Sequence, residues 1–148
     1  MHRKYSILLK HSEALKSQNH LKLIKLQKEH ECFLKQNQLL CSQQMTVLEL
    51  IKSLQICGLT DRAGLFSVQR KLAVLRRQLL ALTQQQQTID EKIKQNIQMI
   101  IDAKMILNAT KRKVDKYIYL QQDFLSKRAL QLNQQDESEM EEIILWRK

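Results

Sequence analysis

Cys57-Gly58-Leu59-Thr60-Asp61-Arg62-Ala63-Gly64 holds both glycines of a 148-residue chain that contains no proline. Gly58 suits the position just past a helix C-terminus, where a left-handed backbone costs least without a Cβ. Thr60 or Asp61 can then cap the next helix, its side-chain oxygen accepting from backbone N–H groups that the first turn leaves free. Stop and start signals two or three residues apart describe a tight connection between two helices. The reading is a first helix over about 3–57, a turn over about 58–61 and a second helix over about 62–135. The acidic segment 136–148 is left open between helix and coil.

Downstream of the turn a heptad runs without a breaker. One seam position reads Leu65, Leu72, Leu79, Gln86, Ile93, Ile100, Leu107, Val114, Gln121. The other reads Val68, Leu75, Leu82, Ile89, Asn96, Ala103, Thr110, Tyr117, Phe124. Mostly apolar positions at a period of about 3.5 over this length predict a coiled coil. Gln86, Asn96 and Thr110 are polar interruptions, residues that set register at some loss of stability. Upstream the seam is weaker. Leu26, Phe33, Leu40, Val47 and Leu54 recur every seven residues, and Leu8, Leu15, Leu23, Leu34, Cys41, Leu48 and Ile51 broaden the stripe. Folding at the turn so that facing residue numbers total about 119 sets Leu54 against Leu65, Val47 against Leu72, Leu40 against Leu79 and Tyr5 against Val114. The expected fold class is therefore all-α, a single long antiparallel two-helix coiled-coil hairpin with unequal helix lengths. The second helix overhangs the first, and Ile118, Leu120, Phe124, Leu125, Leu130 and Leu132 lie on the overhang as an uncovered apolar stripe of the kind that marks a binding surface.

The charge is +10, unevenly spread. Residues 136–142 hold five of the fifteen acidic side chains, so residues 1–135 carry 23 Lys/Arg against 10 Asp/Glu, or +13. Such a chain is drawn to acidic surfaces, nucleic acid or an acidic protein pore, with an attraction that salt weakens. Cys32, Cys41 and Cys57 have no paired or CxxC spacing, so they predict free thiols and neither a disulfide framework nor a zinc site. No stretch reaches the ~20 apolar residues that span a bilayer, and the basic N-terminus lacks a signal-peptide core. His2, His11, His20 and His30 recur at a spacing near nine or ten, which does not place them on one helical face. No HExxH, GxxxxGK[ST], GxGxxG or GxSxG is present. The expectation is a binding protein without catalysis or cofactor.

The stretches Leu59-Thr60-Asp61-Arg62 through Arg70-Lys71-Leu72-Ala73-Val74-Leu75-Arg76-Arg77-Gln78, and Gln134-Gln135-Asp136-Glu137-Ser138-Glu139-Met140-Glu141-Glu142-Ile143-Ile144, resemble the InvI/SpaM branch of the FliJ-like proteins of type III secretion. The architecture matches along nearly the whole chain, while Leu145-Trp146-Arg147-Lys148 departs from the branch's ending. The resemblance implies a cytoplasmic central stalk. One end enters the pore of the hexameric secretion ATPase, the other meets the cytoplasmic ring of the export gate, and some members bind export chaperones. From position alone, Phe66, Arg70, Arg76 and Arg77 are the candidates for the export gate. Arg3, Lys4, Tyr117, Phe124, Leu125, Lys127 and Arg128 are the candidates for the ATPase. Two competing readings are a structural scaffold that self-associates through its overhang and, less favoured, a nucleic-acid binder using the patches Arg70-Lys71-Arg76-Arg77 and Lys111-Arg112-Lys113-Lys116. A parallel basic-zipper arrangement would need a denser basic run than either patch.

Overall fold

The computed structural model describes the backbone of residues 2–56 and 61–147, and their side chains apart from 2, 55 and 56. Two helices make up the described chain: α1, His2–Ile56, of 55 residues, and α2, Arg62–Trp146, of 85 residues. The fold class is all-α, an antiparallel helix hairpin with unequal arms, and no strand occurs among the described residues. The expected roles of Gly58 and Thr60 fall outside the described residues. Asp61 is described, and its carbonyl accepts the Leu65 N–H at 2.9 Å. That bond makes Asp61 the residue that opens α2. The acidic segment is helical, since α2 runs through it to Trp146.

The chain divides into two compact units. Unit 1 pairs Met1–Leu23 with Ala103–Lys148, and unit 2 is Ile24–Asp102. In both, side chains withdraw from water at alternating steps of three and four residues. Along α1 of unit 1 these are Tyr5, Leu9, Ser12, Lys16, Asn19 and Leu23. In unit 2 they continue as Leu26, His30, Phe33, Asn37, Leu40, Gln44, Val47, Ile51 and Leu54. Leu8, Leu15, Leu34 and Leu48, expected to broaden the stripe, are exposed instead, as is Cys41. Polar Lys16, His30, Asn37 and Gln44 take the seam places because they fall at the correct helical phase. Along α2 the withdrawn residues follow the expected seam, except that Leu65 stays half exposed.

The register departs from the expected total of 119. In unit 1 the Tyr5 and Phe124 rings lie 6.3 Å apart, and Asn19 Nδ2 donates to Thr110 Oγ1 at 3.0 Å, both pairs totalling 129. In unit 2 Gln86 Nε2 donates to Cys41 Sγ at 3.4 Å, a total of 127, and Asn96 Nδ2 reaches the Leu26 carbonyl at 3.5 Å, a total of 122. These straddle 126, one heptad beyond 119. The cause is the periodicity of the seam. Sliding one helix by seven residues again sets seam against seam, so hydrophobic pattern alone cannot separate the two registers. The shift has two effects. It carries the first two turns of α2 past the last residue of α1, and it brings α1's Tyr5 down to Phe124.

A two-helix seam excludes water only partly. Leu23, Leu107 and Val114, all in unit 1, are the buried apolar side chains among the described residues. Beside them Ser12 and Thr110 are buried. The Thr110 hydroxyl is satisfied twice, accepting from Asn19 and donating to the Ile106 carbonyl at 2.8 Å. Unit 2 buries Asn96, at 4% exposure, and none of its own described apolar side chains is buried. The buried atoms Asn96 Oδ1, Asn37 Oδ1 and His30 Nδ1 find no hydrogen-bond partner. Such groups cost about 1–3 kcal/mol each, so this seam is the softer of the two.

Candidate functional site

No group of three or more His, Cys, Asp or Glu side chains able to hold a metal occurs among the described residues, and no helix is long and apolar enough to cross a membrane. Cys32 and Cys41 are exposed free thiols.

The sequence-derived candidates fall in two regions; on α2, the turns before Arg70 and the arm beyond Phe124 lack a facing turn of α1, whereas Arg70 lines a cavity with Leu50, Ser53 and Leu54. The first is the start of α2 in unit 2. Phe66 is 53% exposed there, and Arg70, Arg76 and Arg77 are exposed as well. At ~100° per residue, Phe66, Arg70 and Arg77 fall within about 40° of one another, while Arg76 lies about 100° round from Arg77. The structure thus assembles an aromatic ring and two guanidinium groups on one outward face and turns the fourth candidate away from it.

The second stretch is in unit 1. Every described residue from 125 to 147 is exposed. The paired seam stops at Phe124, and its continuation, Arg128, Gln131, Gln135, Ser138 and Glu142, is polar. Of the apolar side chains, Ile118, Leu125, Leu132, Ile143 and Trp146 fall within about 80°, while Leu130, Ile144 and Leu145 lie elsewhere round the helix, and Trp146 is 91% exposed. Of the seven candidates here, Tyr117 and Phe124 are half-buried seam residues, and Phe124 is engaged with Tyr5. Leu120, expected on the bare stripe, is half-buried too. Arg3, Lys4, Leu125, Lys127 and Arg128 are exposed. Lys127 pairs with Asp123 one turn earlier at 2.8 Å, and the hydrogen bond and charge of that carboxylate raise its pKa above the ordinary lysine value. The unmatched arm is therefore shorter than the sequence suggested, and its open face differs from the seam.

One surface escaped the sequence reading. Open cavities in unit 2 lie between the helices on a face set by Thr46, Val47, Ala81 and Leu82. The signal was present in the repeat of small and apolar residues just outside the seam, but the exposure of those positions depends on how the two helices meet.

No curated protein and no solved structure matches the chain. A family profile does match it, over residues 3–144, which takes in both helices, the seam and most of the unpaired arm. The chain belongs to the family described as Salmonella surface presentation of antigen gene type M protein, and is thus an InvI/SpaM-type, FliJ-like protein associated with type III secretion.

Proposed function

We propose that this protein is the non-catalytic central stalk of a type III secretion ATPase complex, linking the hexameric ATPase to the export gate at the cytoplasmic face of the apparatus. The observation that carries the reading is family membership over residues 3–144, together with an arm of α2 beyond Phe124 left without a facing helix. The unpaired arm of unit 1 and the basic start of α1 are offered to the ATPase. An acidic pore would draw Arg3, Lys4, Lys127 and Arg128, and its walls would cover Leu125 and the stripe beyond it. Phe66, Arg70 and Arg77 are offered to the cytoplasmic ring of the export gate, with Arg76 as a lesser contributor. An aromatic flanked by arginines is a common composition for the centre of an interface.

Pull-down with the purified hexameric ATPase tests the first contact. Full-length chain should be retained, and chain truncated after Ser126 should not. Cutting there spares Tyr5–Phe124, so a loss of binding reports on the arm and not on an opened seam. Equal retention of both chains would remove the arm from the contact. For the second contact, Arg70→Glu/Arg77→Glu should weaken gate-ring binding at least about tenfold, the effect of roughly 1.4 kcal/mol. A nucleic-acid binder would instead show a DNA mobility shift whose strength falls steeply with salt.

A further inference from the structure

Unit 2 does not choose its own register. The apolar seam residues of α1 there are Leu26, Phe33, Leu40, Val47, Ile51 and Leu54. With facing numbers totalling 126, each meets an apolar residue of α2 except Leu40, which meets Gln86. Slid back by one heptad to 119, each again does so except Phe33, which then meets Gln86. Polar groups add little to the choice. The bond from Asn96 to the Leu26 carbonyl is long at 3.5 Å. That from Gln86 ends on the Cys41 sulfur, a weak acceptor. Buried atoms of His30, Asn37 and Asn96 already lack partners. Leaving the observed register therefore forfeits little in this unit.

Unit 1 does choose. Asn19 Nδ2 donates to Thr110 Oγ1 at 3.0 Å, and Thr110 is buried. The slide would carry Asn19 to Ala103, which offers no side-chain acceptor. A polar pair satisfied in one register and broken in the next is what fixes the register of a coiled coil. The rings discriminate less, because Tyr5 would leave Phe124 for Tyr117. α1 is unbroken from His2 to Ile56, so a change of register in one unit is carried into the other. The length of the connection permits it. Six Cα steps from Ile56 to Arg62 reach about 20 Å when extended. The observed register asks for about 15 Å, an overhang of two turns and one helix spacing, and the slid register asks for less. We propose that the Asn19–Thr110 hydrogen bond is the latch of a two-register hairpin, and that α1 slides one heptad toward the start of α2 when the latch opens. The slide sets Leu65, 51% exposed in the latched form, against Leu54 and frees Phe124 from Tyr5. One movement of about 10 Å thus covers the start of α2 and lengthens its free arm by a heptad. The two ends are then linked, since a partner that holds one favours the register that presents it. The latch goes beyond the stalk reading and does not depend on it.

Thiol pairing in the isolated full-length chain tests this. With Cys32→Ser and Cys57→Ser, Cys41 is the one native thiol left. Gln86→Cys then reports the latched register, in which Cys41 and residue 86 touch. Leu79→Cys, seven residues earlier, reports the slid one. With Asn19 in place, oxidation of the dilute chain should join Cys41 to position 86 and leave position 79 behind. Asn19→Ala should raise the rate at 79 relative to that at 86 by at least about tenfold, the effect of one lost buried hydrogen bond. A ratio that Asn19→Ala leaves unchanged overturns the latch. So does equal pairing at 79 and 86 with Asn19 in place, because the bond would then hold nothing. Leu79→Cys shortens a seam residue, so exposed Leu65 supplies a second readout. In a chain whose native cysteines are all serine, Leu65→Cys should react with a maleimide at least about tenfold more slowly once Asn19→Ala is added. Thr110→Val, which keeps the size and removes the hydroxyl, should slow it in the same direction and replaces Asn19→Ala should that variant lose helicity by circular dichroism. Unchanged reactivity in a fully helical variant refutes the slide.

Discussion

Asn96 shows how a single seam residue balances specificity against strength. It is nearly sealed from water, one side of its amide reaches the Leu26 carbonyl at a long 3.5 Å, and Oδ1 has no partner. Asn96→Leu should therefore raise the thermal midpoint by roughly 3–6 °C, the equivalent of 1–2 kcal/mol in a chain of this size. Circular dichroism would check it, and a fall in the midpoint would mean that the amide is better satisfied than its geometry indicates. Leu107 tests the opposite case. Leu107→Ala removes a buried side chain from the tighter seam and should cost about 2–3 kcal/mol in urea unfolding. Leu130→Ala, on the exposed arm, should leave the midpoint unchanged. Asn96 and Thr110 were both legible as polar interruptions of a heptad. What the heptad could not reveal was their difference. Thr110 is satisfied by its own helix and by Asn19, whereas Asn96 is satisfied by half.

Among the elements, α2 was legible almost position by position, because its seam is apolar enough to declare its phase. α1 was legible only as an average. Leu8, Leu15, Leu34 and Leu48 sit one position outside the seam, and they outweighed the polar residues that occupy it. Arg70 and Arg77 share a face by their spacing of seven, while Arg76 lies about 100° round from Arg77. The ion pair Asp123–Lys127 has the acid one turn before the base, the favoured order on a helix. Because the carboxylate raises the lysine, the small stabilisation it gives is fully present below the ordinary lysine pKa of 10.5. It is lost only as pH rises through the raised value. The pair is exposed to solvent, so helicity should stay flat from about pH 7 to 9.5. A circular dichroism titration that drops within that window would point to another group.

For the whole molecule, the seam and the partner surfaces are separable. A chain ending after Ser126 keeps Tyr5, Phe124 and every buried residue of unit 1. It should unfold at the same urea concentration as the full chain while losing ATPase retention. If its stability falls, the arm contributes to the fold and the division is not clean. The antiparallel fold and the family were legible in advance. The displaced register was not, since a seven-residue slide preserves every hydrophobic match. That same indifference has an evolutionary side. Inserting or deleting seven residues in the free arm or at the start of α2 changes reach in steps of about 10 Å, with no seam residue rewritten. On the proposed stalk reading, a lineage can thus refit the protein to a taller or shorter apparatus by whole heptads, as a carpenter moves a peg along evenly drilled holes.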